Sequence, residues 1–197
     1  MKQKKINTNL VEVPEQQLVD IHIEPDDIVL ELGARYGTVS CKINKKLNNK
    51  LNQVSVEPDD RVWNALESNK ERNDCYFHIH KGFISDKKLS LTNLNDYIDG
   101  YAATYVEDET SKIKNLSLDE IQNMYNLKFN VLVADCEGYL GEFFYQNPNF
   151  YDQLRMIIFE ADYPDKCDYD KIRETLFQKG FECKLIGHQN VFLIEKM

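Results

Sequence analysis

The chain is short of the residues that break, staple or anchor a fold. Five prolines and eight glycines in 197 residues exclude a collagen-like or loop-dominated protein. No apolar run approaches the ~20 residues that a membrane-crossing helix needs. No apolar segment follows the charged start Met1-Lys-Gln-Lys-Lys, so the N-terminus does not read as a secretory signal, and a soluble cytoplasmic protein is expected. The five cysteines, Cys41, Cys75, Cys136, Cys167 and Cys183, are odd in number and form no CxxC pair. Neither disulfides nor structural zinc is therefore expected. The four histidines lack an HxxxH spacing; His78 and His80 share one face of a strand, but two ligands do not make a metal site. Positive charge is also in deficit. A net charge of −9 repels a phosphate backbone and argues against nucleic acid as a partner. Lys42, Lys45, Lys46 and Lys50 read as the solvated face of an amphipathic helix.

What is present fits one α/β domain over residues 1–197. The run 28–32, Ile-Val-Leu-Glu-Leu, is short, rich in β-branched residues and stopped by Gly33, as a buried parallel strand would be. Val39, Ile43 and Leu47 recur every four residues and predict a helix with one buried stripe. A second strand over 53–57 ends at Pro58, and Asp59 or Asp60 caps the helix behind it. A third strand lies near 76–80. Residues 87–128 break this rhythm and read as an insertion or lid-like segment, with a capping box starting at Ser117. Strands at 130–135 and 156–160 resume the alternation, with helices at 140–145 and 169–179. Two final strands around Gly187 form a hairpin pattern. The predicted fold is a Rossmann-like, mostly parallel sheet with helices on both faces and an antiparallel C-terminal hairpin.

The first chemical signal is the turn Glu31-Leu-Gly33-Ala-Arg-Tyr-Gly37. A strand ends, the backbone turns tightly, and a helix begins whose free N–H groups can meet an anionic group. A dinucleotide fingerprint needs glycine two residues after the first; here that residue is Arg35. Glu57 follows at the carboxyl end of the second strand, where open α/β sheets bind ligands, and a carboxylate there can accept both hydroxyls of a ribose.

Taken in order, Glu31-Leu-Gly33-Ala-Arg-Tyr-Gly37, Val56-Glu57-Pro58, Phe83-Ile-Ser-Asp86, Asp135-Cys-Glu137-Gly138 and Ile158-Phe-Glu160 resemble the FkbM-type methyltransferases, a class I S-adenosylmethionine-dependent family. The resemblance covers roughly residues 26–179, and Asp-x-Glu-Gly is its more specific element. It implies a seven-stranded sheet with its last strand antiparallel, and O-methylation of sugars or other small hydroxylated metabolites. By position, Glu31, Gly33, Ala34 and Gly37 would surround the methionine part of S-adenosylmethionine. Glu57 would hold the ribose with Pro58 shaping its loop, Phe83 and Ser85 would lie near the adenine, and Asp135 near the sulfonium. S-adenosylhomocysteine would be the product. Two positions depart from the family: Arg35 replaces an asparagine, and Val133 replaces a lysine on the acceptor side.

The chemistry is a displacement at a sulfonium methyl, helped by a base that takes the acceptor's proton. Asp135 and Glu137 are the carboxylates placed for it, and His80 is the alternative base. Glu160 lines the acceptor pocket or caps a helix. The acidic group Glu160, Asp162 and Asp165 also offers a divalent metal a place, although no metal ligand set is assigned. Tyr97, Tyr101 and Tyr105 recur every four residues, as an acceptor lid or as packing for the insertion. The expected partner is a glycan or small-molecule acceptor, with association to a glycosyltransferase suggested by the small size. The competing readings are a nicotinamide-dependent oxidoreductase and a non-catalytic binding module.

Overall fold

The computed structural model describes residues 12–92 and 103–195. Strand β1 (Val29–Leu32) lies between β2 (Gln53–Glu57) and a later strand, β8 (Val131–Ala134), all three buried along their whole length. Burial on both faces explains why their sequences are apolar runs rather than alternating ones. Helix α1 (Val13–His22) precedes β1, α2 (Thr38–Lys46) links β1 to β2, and α3 (Asp60–Arg72) links β2 to β3 (His78–Lys81). After β8 come α5 (Leu140–Gln146), β9 (Met156–Glu160), α6 (Tyr169–Gln178), β10 (Glu182–Leu185) and β11 (Gln189–Leu193). The strands form one seven-stranded sheet in the order β10-β11-β9-β8-β1-β2-β3. Strand β11 runs antiparallel to both its neighbours, β9 and β10, while the inner pairs are parallel.

Side chains alternate between two cores. Leu30, Leu32 and Leu132 face one side with Phe143 of α5 and Leu176 of α6. Val29, Val131 and Val133 face the other with Val19 of α1 and Ile43 of α2. The stripe predicted for α2 is thus the one it buries. Asp59 caps α3 by accepting the N–H of Arg61. Lys50 closes the end of α2 by donating to the carbonyls of Asn44, Lys45 and Leu47, which adds a capping role to one of the four predicted surface lysines.

Between β3 and β8 lie β4 (Phe83–Ile84), β5 (Leu89–Thr92), β6 (Thr104–Glu107), β7 (Asn115–Leu116) and α4 (Leu118–Tyr125). Strands β5 and β6 pair antiparallel, and β4 pairs with β7. The capping box at Ser117 is complete, with Glu120 as its partner. Tyr97 and Tyr101 lie outside the described residues, so the stripe can be followed only at Tyr105. Its ring meets Tyr139 edge-on at 4.9 Å between centroids, which ties β6 to the start of α5.

One expectation is corrected. Cys41 and Cys75 are paired, with Cα atoms 5.7 Å apart and a sequence separation of 34. Cys41 is on the inner face of α2 and Cys75 just before β3, in a core shared with Leu66 and Phe77. Packing of α2 on this layer brings them together, and no local spacing motif records it. Among the described residues, no helix is long and apolar enough to cross a membrane.

Candidate functional site

The glycine turn is pinned to both strands that flank β1. The N–H groups of Gly33 and Ala34 both donate to the Val56 carbonyl at 3.0 Å, and the Asp135 N–H donates to the Leu32 carbonyl at 3.0 Å. Gly33 has φ +88°, and a Cβ on it would lie 1.7 Å from the Asp135 carbonyl oxygen. Glycine is thus required where the loop after β8 crosses the turn. Gly37, at φ +77°, lets α2 start against Leu66 of α3, whose Cδ1 would be 2.7 Å from a Cβ there. Between them Arg35 adopts φ +46°, and its N–H donates to Glu57 Oε2 at 2.6 Å.

This turn forms the floor of an open cavity at the carboxyl ends of the strands, where α/β sheets bind their ligands. Six residues singled out in the sequence line it: Gly33, Glu57, Pro58, Phe83, Asp135 and Glu137. Four others do not. Ala34 is buried with Leu66 and Phe77, and Gly37 is covered by α3. The Ser85 hydroxyl donates to Gln146 Oε1 at 3.1 Å. His80 is 3% exposed, with Nε2 3.3 Å from the Phe83 carbonyl, and burial lowers its pKa. It sits beneath the wall rather than facing the cavity. The structure also adds Val62, Ile84 and Leu91, which supply apolar wall, and Tyr139, which closes one side together with Tyr105 of the predicted stripe. The Tyr139 hydroxyl donates to the Ile84 carbonyl at 2.7 Å, which fixes that wall.

Strand β8 ends at Ala134, so Asp135 and Glu137 reach the cavity from a loop. Glu137 has a left-handed backbone at φ +51°, followed by Gly138 at +84°. Asp135 does not cap α5, whose N-cap is Tyr139.

The carboxylates here are held away from their ordinary state. Burial pushes Glu57 up to about 7, against the pull of the N–H groups of Asp59 and Arg35. Both Glu57 oxygens accept: Oε2 from Arg35 and Oε1 from Asp59 at 2.8 Å. Burial likewise raises Glu31 to about 7, opposed by Ser40, Ser55 and Gln53. Glu12, beside the turn, is raised to about 8 by burial and then by Asp135 and Glu31. Asp135 is pushed up by burial and by Glu160, to which it is hydrogen-bonded. Burial raises Glu160 too, and the exposed His188 ring touches it through Nε2. Asp135, Glu160 and Asp162 bring one oxygen each within 4.8 Å of one another, a hard-oxygen set of the kind that holds a divalent cation. Asp165, grouped with them in the sequence, is not part of this set.

Glu31 gives a pH test. Its carboxyl is protonated more readily in the folded chain than in the unfolded one, so the folded state binds the extra proton. The stabilising contribution is whole below pH 4.5 and is lost as pH rises through about 7. A shift of that size is worth about 3 kcal/mol. Relative to the parent, Glu31→Gln is therefore expected to gain about 3 kcal/mol of stability between pH 4.5 and pH 8. Urea unfolding of both proteins at the two pH values measures this, and a difference that does not change with pH refutes it.

No family model and no curated protein matches the chain. Solved structures do. A ribosomal protein L11 methylase from Lactobacillus delbrueckii superposes with TM-score 0.54 and 15% identity, over 93% of this chain and 78% of that one. A precorrin-6y C5,15-methyltransferase from Geobacter metallireducens gives 0.58 and 11%, over 98% and 92%. An O-methyltransferase from Bacillus cereus, solved with S-adenosylhomocysteine, gives 0.53 and 15%, over 91% and 79%. The chain has the Rossmann-like fold of these methyltransferases, with the seven-stranded sheet and antiparallel β11.

Proposed function

We propose that this protein is an S-adenosylmethionine-dependent O-methyltransferase of FkbM type, acting on a hydroxyl of a sugar, a glycan or a small metabolite. The observation that carries the reading is the placement of Glu57. Its carboxylate lines the same cavity as the Gly33 turn and Asp135, at the carboxyl end of the strand next to β1, where a ribose carboxylate belongs.

The residues present fit that cofactor. Each Glu57 oxygen accepts one backbone N–H and keeps a lone pair for a ribose hydroxyl. Val62, Phe83 and Ile84 offer an apolar slot for adenine. When bound, S-adenosylmethionine supplies an electrophilic methyl group on a sulfonium. Asp135 and Glu137 stand at the cavity's acceptor end, and an ionised carboxylate there takes the proton that the acceptor hydroxyl loses. The nicotinamide alternative is less well served. The Arg35 N–H is bound to Glu57 and is not available to a pyrophosphate, and an Arg35 side chain stands where that turn needs glycine.

Isothermal titration with S-adenosylhomocysteine, repeated on Glu57→Ala, tests the reading. Micromolar binding by the parent and a loss of at least about 2 kcal/mol in the variant is expected, the size of a charged hydrogen-bond pair. No binding by the parent sinks the proposal, and nicotinamide cofactors become the next ligands to titrate.

A further inference from the structure

Behind the Gly33 turn lies a second, smaller cavity, closed by α1, the ends of β1 and β8, and β9 with β11. Strand β9 lines this cavity through Ile158 and Phe159 and does not line the larger one. The space is therefore on the acceptor side of the turn, away from Glu57. Its polar wall is acidic: Glu12, Glu15, Glu31 and Asp135. Glu160 and Asp162 extend the same surface, with oxygens within 4.8 Å of that of Asp135. Apart from Gln189 the rest of the wall is apolar, Val133 included, and no lysine, arginine or histidine lines it among the described residues.

Three residues of this lining carry a buried oxygen without a hydrogen-bond partner among the described residues: Oε2 of Glu15, Oε2 of Glu31 and Oε1 of Gln189. Glu15 and Glu31 are 8% and 2% exposed. The other Glu15 oxygen accepts from the Gln189 amide. An orphaned buried acceptor costs about 1–3 kcal/mol, more when charged, and neighbouring carboxylates repel one another. Arg35 and His188 each offset only one edge, at Glu12 and Glu160. The centre of the group calls for a guest with positive charge and several N–H donors. A primary ammonium has both, with three donors for the Glu15, Asp135 and Glu160 carboxylates. A neutral hydroxyl brings one donor and no charge.

We propose that the acceptor carries a protonated amino group, seated against Glu15, Asp135, Glu160 and Asp162 beside the hydroxyl to be methylated. The substrate class is an amino sugar or amino alcohol. This rests on the methyltransferase reading above.

The test uses protein saturated with S-adenosylhomocysteine and two probes that differ in one group. D-glucosamine is cationic at neutral pH, and D-glucose has a hydroxyl in place of the amine. Ligand-observed NMR titration is expected to show glucosamine binding at least about tenfold tighter, the effect of one charge-assisted hydrogen bond. Glu160→Gln should bring the two probes close to equal while S-adenosylhomocysteine affinity is kept. Val133→Lys, which builds a resident cation into the cavity, should do the same by a different route. Equal affinities in the parent, or no glucosamine binding by protein that takes up S-adenosylhomocysteine, overturns the proposal. Saturable Mn²⁺ binding that is lost in Asp162→Asn, with no glucosamine preference, also overturns it and assigns the cluster to a metal. A glucosamine preference without S-adenosylhomocysteine binding would leave the cation site standing and remove the methyltransferase reading.

Discussion

Gly33→Ala is expected to lose more than about 4 kcal/mol of stability, among the largest effects of a single substitution, and with it the ligand cavity. Two costs combine. The position has φ +88°, where an L side chain pays about 1–2 kcal/mol. The added Cβ would also lie 1.7 Å from the Asp135 carbonyl oxygen and 2.8 Å from its carbon. Both are backbone atoms, and no rotamer change relieves the overlap. Relief requires the β1 and β8 ends to part, which breaks the Asp135 N–H bond to Leu32 and disturbs the paired bonds to Val56. Gly180→Ala is the control. That glycine has φ +85° but nothing within 4 Å of an added Cβ, so only the conformational cost of about 1 kcal/mol is expected. Urea unfolding of the two variants separates the terms. If Gly33→Ala proves no worse than Gly180→Ala, the crossing of the two loops is not as tight as the geometry requires.

The same crossing marks where sequence stops being informative. The central strands were legible because burial on both faces leaves unbroken apolar runs, as in Val131-Leu-Val-Ala. The α2 stripe and the Ser117 capping box were legible because their partners lie within four residues. Glu57 was legible because its place depends only on where β2 ends. The roles of Ala34, Gly37 and Ser85 follow only from the family resemblance, by position. Which way a residue faces is decided by what packs against it: Leu66 and Phe77 for Ala34, and Gln146 for Ser85. His80 shows the same limit, since only the fold directs its ring to the Phe83 carbonyl. Contacts between distant segments left no local trace. The Cys41–Cys75 pair, the Tyr105–Tyr139 wall and the approach of Glu15 to the β9 end each join elements chosen by topology. Sequence therefore pointed to the lining of the larger cavity more fully than to that of the smaller one, which is assembled from α1, β8, β9 and β11.

At the opposite end of the sheet, Asp27→Ala is expected to cost about 3 kcal/mol, the low end for breaking a buried ion pair, because Arg155 keeps a longer pair with Glu24 at 3.6 Å. Asp27 is 2% exposed. Its Oδ1 accepts from Arg155 Nε at 2.6 Å and from Asn130 Nδ2 at 3.3 Å, and its Oδ2 accepts from the Glu24 N–H at 2.8 Å. A second Arg155 nitrogen meets Oδ2, which makes the pair a two-pronged fork. Arg155 donates onward to the His22 carbonyl at the end of α1. The Asn130 side chain accepts the Ile28 N–H at 2.8 Å. One carboxylate thus fixes the end of α1 and the starts of β1, β8 and β9. Arg155→Ala should cost a similar amount, because it strands the Asp27 charge. The double variant should lose clearly less than the sum of the two single losses, since no unpaired charge then remains buried. Additive losses would show that the two groups act through separate contacts. All of these residues lie at the amino ends of the strands, across the sheet from Glu57 and the glycine turn. Measured below its lowered melting temperature, Asp27→Ala should therefore bind S-adenosylhomocysteine as the parent does, while Glu57→Ala, measured while folded, loses the ligand.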